Sequence, residues 1–173
     1  MKRNLRLAMV LCVTAVVPVA FTGCAGYKLG SNLPPGIRSV AVPVFVNETG
    51  EPGLETLTTS ATIQEFQKDG SLKVADRSGA DTVVEVTLRK YTLTPLRYRS
   101  DRATTAREYR LTLVADVTWM RLPGQEVLAR TSKVEGYKDF EALVDLPSAR
   151  RDALPDAAAD LAHRIVRTIV EHW

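Results

Sequence analysis

The sequence predicts an α/β two-layer sandwich, a mixed β-sheet covered on one face by two helices. Two patterns carry that expectation. In "EYRLTLVADVTWM", Tyr109, Leu111, Leu113, Ala115, Val117 and Trp119 alternate with Glu108, Arg110, Thr112, Asp116 and Thr118. A period of two marks a strand with one buried face. In "LPDAAADLAHRIVRTIVEHW", Leu154, Ala158, Leu161, Ile165 and Ile169 return at helical spacing, widened by Ala162, Val166 and Val170. With a second helix, such an element suffices to cover one face of a sheet.

The remaining elements follow in order. "IRSVAVPVFVN" is β-branched and apolar, a strand over residues 38–46. Pro43 cannot donate to a ladder, so that strand belongs at an edge or carries a bulge. "NETGEPG" turns the chain into "LETLTTSATIQEFQKDG", a helix presenting Leu54, Leu57, Ala61 and Phe66 and stopped by Gly70. Its threonines lower helix propensity. "SLKVAD" is a short strand. "TVVEVTLRKYTLTPLRYRS" starts with Val84, Val86 and Leu88 alternating against Glu85, Thr87 and Arg89. "LPGQE" turns the long alternating strand into "VLARTSKVEGY", a partner of mixed pattern. In the last helix Pro155 is expected in the first turn, where a missing N–H costs nothing.

The amino-terminal end has a different character. Lys2, Arg3 and Arg6 precede an uncharged run of 15 residues, 7–21, shorter than the roughly 20 a membrane-spanning helix needs. A basic start, a short apolar middle and a small-residue exit fit a secretory signal over residues 1–23; a short membrane anchor is the rival reading. Of the two cysteines, Cys12 would leave with that segment. Cys24 would then have no disulfide partner, and it has no His or Cys neighbours to complete a four-ligand zinc shell. "FTGC" resembles the bacterial lipobox, with Phe21 where Leu is usual. That resemblance implies cleavage before Cys24 and its lipidation. Two or more acyl chains anchor stably, each buried methylene contributing about 0.8 kcal/mol. Ala25, not Asp, follows the anchor, which favours the outer membrane. Residues 24–36, punctuated by Gly and Pro, read as the linker to one domain over residues 37–173.

Losing Lys2, Arg3 and Arg6 leaves 20 basic against 20 acidic residues. A neutral body argues against nucleic acid as a partner, since that affinity comes from excess cationic charge. The sequence holds no G-x-S-x-G, phosphate-binding glycine loop or H-E-x-x-H. An enzyme is not expected, and neither a cofactor nor a metal. His163 and His172 stand nine apart and face opposite sides of a helix. Asp156, Asp160 and His163 share one face that could hold a metal, although such faces are usually only solvated.

One cluster stands out. "LRKYTLTPLRYRSDRATTAREYR" carries Arg89, Lys90, Arg97, Arg99, Arg102, Arg107 and Arg110 against Asp101 and Glu108, interleaved with Tyr91, Tyr98 and Tyr109. Arginine suits bidentate contact with phosphate or carboxylate. The cluster reads either as a solvated hairpin tip or as a docking surface for an anionic lipid headgroup or a protein.

"GCAGYKLG", "LPPGIRSVAVPVFVNET", "PGLETLTTSATIQEFQKDG", "ADTVVEVTLRKYTLTP" and "ALPDAAADLAHRIVRTIV" together resemble the LPS-assembly lipoprotein (LptE) family. The resemblance implies a lipid-anchored protein on the periplasmic face of the outer membrane. It implies a partner, the LptD β-barrel, which such proteins plug and help to assemble, and a part in lipopolysaccharide transport to the cell surface. It gives Arg89, Lys90, Arg97, Arg99, Arg102 and Arg107 a use as lipopolysaccharide or partner contacts. "SVAVPVFVNETGEPG" with "LKVADR" is also similar to periplasmic lipoproteins that activate peptidoglycan synthases, the alternative function.

Overall fold

A computed structural model describes residues 33–98, 106–142 and 145–171. Among these, six strands and two helices follow in the order β1 (Ser39–Ala41), β2 (Val46–Asn47), α1 (Leu54–Asp69), β3 (Lys73–Val74), β4 (Thr82–Tyr98), β5 (Ala106–Arg121), β6 (Glu126–Glu141) and α2 (Leu146–Val170). The sheet runs β3-β1-β4-β5-β6, with β2 also on β4. β1 and β2 lie parallel to β4, while β4, β5 and β6 form an antiparallel meander. The mixed sheet with helices packed on it is the α/β class that the sequence predicts.

The expected first strand is two strands. Pro43 falls between them, and the pieces pair separately with β4: Val40 opposite Thr82, Val46 opposite Thr87. β1 is internal, between β3 and β4, whereas β2 lies at an edge. The break is tied to α1, where the Phe45 N–H donates to Thr59 Oγ1 at 3.0 Å. Asp81 fastens β1 to β4. Its carboxylate accepts from the Arg38 and Ser39 N–H groups at 3.0 Å each and from the Ser39 hydroxyl at 2.7 Å. Those bonds hold the Asp81 carboxyl below the usual carboxylate range, the Ser39 hydroxyl contributing most.

α1 stops at Gly70, which takes the left-handed conformation at φ 75° and bonds back to the Phe66 carbonyl. Its buried face is Leu54, Thr58, Thr59, Thr62 and Phe66, with Leu57 and Ala61 only partly covered. Threonines serve in a core because their hydroxyls are satisfied locally. Thr58 donates to the Leu54 carbonyl, Thr59 to Glu55 and Thr62 to Thr58, all within 2.8 Å.

α2 starts eight residues before the predicted segment. Asp145 caps it by accepting the Ser148 N–H at 2.9 Å, and Pro147 takes a first-turn position. Pro155 therefore lies in the helix interior, contrary to expectation. The helix tolerates it because Ala153, Ala157, Ala158 and Leu161 around it are buried, so tertiary packing outweighs one lost backbone bond.

Val84, Val86 and Leu88 of β4 and Leu111, Leu113, Ala115, Val117 and Trp119 of β5 pack with Phe66, Leu161, Ile165 and Ile169 in one core. Gly136 of β6 lets α2 approach. A Cβ there would stand 2.3 Å from the Leu161 backbone nitrogen, well inside any real contact.

Candidate functional site

β4 and β5 run past the core as a hairpin arm. From Thr82 to Leu88, β4 is mostly buried; from Thr92 to Tyr98 only Leu93 is half-covered. The change coincides with a register slip. Leu88 faces Ala115 but Lys90 faces Val114, leaving Arg89 as an extra residue. Side chains turned to the core therefore switch from Val84, Val86 and Leu88 to Tyr91 and Leu93, opposite Leu113 and Leu111. β6 slips likewise: Thr131 faces Val117 and Val134 faces Ala115. The mixed pattern of that strand is this change of parity.

One carboxylate on β5 clasps both slips. Asp116 accepts from Arg89 Nε at 2.8 Å and from the Lys133 N–H at 3.1 Å, where Lys133 holds φ 58°. Glu48 closes on the other side of Arg89 in an ion pair. The Arg89 hydrogen bond, then that of Lys133, keeps the Asp116 carboxyl below its ordinary range. Arg89 is correspondingly raised, by Asp116 first and Glu48 second. Next to this clasp Lys90, Val114, Ser132, Lys133 and Glu135 line a hollow of about 550 Å³ on the open face of the sheet.

Along the arm Arg110 makes a forked bond to Asp139 at 2.6 and 2.7 Å and lies 4.3 Å over the Tyr137 ring. Arg164 of α2 reaches the same ring at 5.3 Å. The Asp139 carboxyl is lowered, chiefly by the Arg110 hydrogen bond. Tyr109 stacks on Phe140 at 6.0 Å, and the Ala142 N–H donates to the Arg107 carbonyl.

The far end is looser. Arg97 keeps 77% of its side chain exposed and meets Glu108 only at 3.5 Å; Arg107 meets Glu141 at the same distance. Leu96 and Tyr98 are exposed beside Arg97. Exposed pairs of this kind contribute about 0–1 kcal/mol, so Arg97 can change partners at little cost. The arm end thus combines exposed, weakly paired guanidinium charge with open apolar surface.

The predicted cluster divides in space. Arg97 and Arg107 stand together at the arm end, while Arg89 and Lys90 sit at its root. Cys24, Arg99 and Arg102, with residues 1–23, lie outside the described residues. Sequence reading passed over Lys133, which joins Lys90 from β6, and the apolar exposure of Leu96. It also counted only neighbouring carboxylates, whereas Glu48, Asp116, Asp139 and Glu141 arrive from elsewhere in the chain. Asp156, Asp160 and His163 each take a separate partner. Asp156 pairs with Lys138 at 2.7 Å, Asp160 with the Tyr137 N–H and Arg164, and His163 with Glu65 at 2.8 Å.

Comparisons with known proteins agree with the architecture. Solved structures with the same fold include lipoprotein B from Nitrosomonas europaea, at TM-score 0.51 and 15% identity, covering 85% of this chain and 96% of that one. A minor lipoprotein from Acinetobacter baumannii gives 0.51 and 11% identity, over 78% and 94% of the two chains. The PelC dodecamer from Paraburkholderia phytofirmans gives 0.51 and 13% identity, over 82% and 95%. At such identities the likeness is one of fold. A search of curated protein sequences returned no match. The lipopolysaccharide-assembly family model, LptE, matches residues 37–169, from the buried Ile37 to the end of the last helix. The chain is a member of the LptE family of lipopolysaccharide-assembly proteins.

Proposed function

We propose that this chain is an outer-membrane lipoprotein, held at the periplasmic face by lipid on Cys24, that plugs an LptD β-barrel and helps it assemble. In that position it takes part in moving lipopolysaccharide to the cell surface, by binding rather than catalysis. The observation that carries the reading is the exposed arm end on a chain of this family. Leu96, Arg97 and Tyr98 stand outside the helix-covered core, with Arg107 alongside. A guanidinium can grip a phosphate or carboxylate through two N–H donors, and the weak pair with Glu108 leaves Arg97 free to exchange. Leu96 and Tyr98 supply the apolar contact that an acyl chain or a barrel wall needs. At the root, by contrast, Arg89 already serves two carboxylates.

The test is capture of the tagged full chain from detergent-solubilised membranes. Recovery of an outer-membrane β-barrel of the LptD type supports the reading. Recovery of a peptidoglycan synthase, with no barrel, overturns it in favour of the alternative. Palmitate labelling addresses the anchor: the parent chain takes up label and Cys24→Ser does not.

A further inference from the structure

The two long edges of the sheet are finished differently. On β6, α2 lies against Gly136 and its Asp160 carboxylate accepts the Tyr137 N–H at 2.9 Å, so the helix covers the middle of that edge. On β4, β1 covers Thr82 and Val83, and β2 covers Thr87 and Leu88. The last bond on that side runs from the Glu48 N–H to the Leu88 carbonyl at 3.0 Å. Beyond it, residues 90–94 pair with β5 on one side and with no described residue on the other. Pro95, which has no N–H, bounds this window at its far end. Edges left open in this way are templates for an added strand.

We propose that residues 90–94 of β4 accept an extended, acidic segment of a partner polypeptide as an additional strand, in line with β2. The side chains on the slot define what fits. Toward the helices an incoming strand meets half-buried Tyr91 and Leu93, so every second residue is apolar. The Tyr91 hydroxyl oxygen there is buried and without a hydrogen-bond partner among the described residues. Toward the open face it meets Lys90, Thr92 and Thr94, so the residues between are acidic or polar. Charge decides the sign: within residues 90–94 Lys90 is the one ionic side chain, and no described carboxylate pairs with it, whereas the flanking Arg89 is held by Glu48 and Asp116 and Arg97 by Glu108. The same charge disfavours a second copy of this strand, because like charges facing each other across a ladder repel. This inference concerns backbone pairing and does not depend on the assembly function proposed above.

Hydrogen exchange on the full processed chain tests it, with a synthetic peptide of alternating Glu and Val as the probe. Saturable binding is expected, with exchange slowed in residues 90–94. Removing the donors that the peptide turns toward β4, by N-methylation of that alternate set of residues, should weaken binding about tenfold, since two or more backbone hydrogen bonds are lost. A Lys and Val peptide should bind less well, and Lys90→Glu should reverse that preference. Three results each overturn the proposal: no binding of the Glu and Val peptide, equal binding of its N-methylated form, or protection at β6 instead. Protection of all five amides before any peptide is added also overturns it, because the chain itself then covers the edge.

Discussion

The β4–β5 hairpin is one continuous ladder with two different halves. In its lower half, from Val84 and Trp119 to Leu88 and Ala115, every inward residue is buried in the core shared with the two helices. Its upper half bears exposed Leu96, Arg97 and Tyr98 and weak ion pairs. The division falls at Arg89, where the strand slips register and Asp116 ties the slips of β4 and β6 together. Backbone pairing alone does not distinguish the halves; what covers them does. The buried stretch, which on β5 continues above the slip through Leu113 and Leu111, therefore answers for stability. The exposed arm end is the part proposed for interaction, and substitutions should separate the two.

The largest effect is expected at the centre of the lower half. Trp119→Ala removes a fully buried indole and should cost about 4 kcal/mol, read from denaturant unfolding. Gly136→Ala comes next. The new methyl meets the backbone of Leu161 rather than a side chain that could swing away, so about 3 kcal/mol is expected. A wild-type midpoint in that variant would contradict the close approach of α2.

Asp81→Asn is smaller, about 2 kcal/mol, because a charged acceptor of three hydrogen bonds becomes a neutral one. Its pH dependence has a definite sign. The folded carboxyl titrates below its unfolded value of about 3.9. Its contribution is therefore complete above that value and lost as the pH falls through the lower, folded one. The gap between wild type and variant should be constant above about pH 5 and should close under acid conditions. Asp116 and Asp139 are lowered too, so the wild-type chain should weaken in the same range.

The smallest effect on stability belongs to the arm end. Arg97→Ala and Arg107→Ala together should leave the unfolding midpoint unchanged within about 0.5 kcal/mol, as exposed pairs predict. Capture of the barrel should nevertheless fall.

How much of this was legible depended on which strand was read. β5 has slipped strands on either side, yet its own inward residues run unbroken from Tyr109 to Trp119, so the period of two survived in the sequence. β4 and β6 change parity at Arg89 and near Lys133, and there the alternation dissolved into a mixed pattern. Threonine hydroxyls satisfied within α1 disguised a core face as a polar one. Pro147 and Pro155 hid the first two turns of α2, although the Asp145 and Ser148 cap was present in the sequence. Within the candidate site, the excess of arginine was visible. Its neutralisation was not, because Glu48 and Arg89 are 41 residues apart and Arg110 and Asp139 are 29. Only folding brings those charges together.

The separation of the two halves is tested most directly on one variant that changes only the arm end, Leu96→Asp with Arg97→Glu. Its unfolding midpoint and its capture of the LptD-type barrel from solubilised membranes are measured side by side with the parent chain. A parental midpoint with lost capture is the predicted result. Undiminished capture, or a collapse of stability comparable to that of Trp119→Ala, would contradict it.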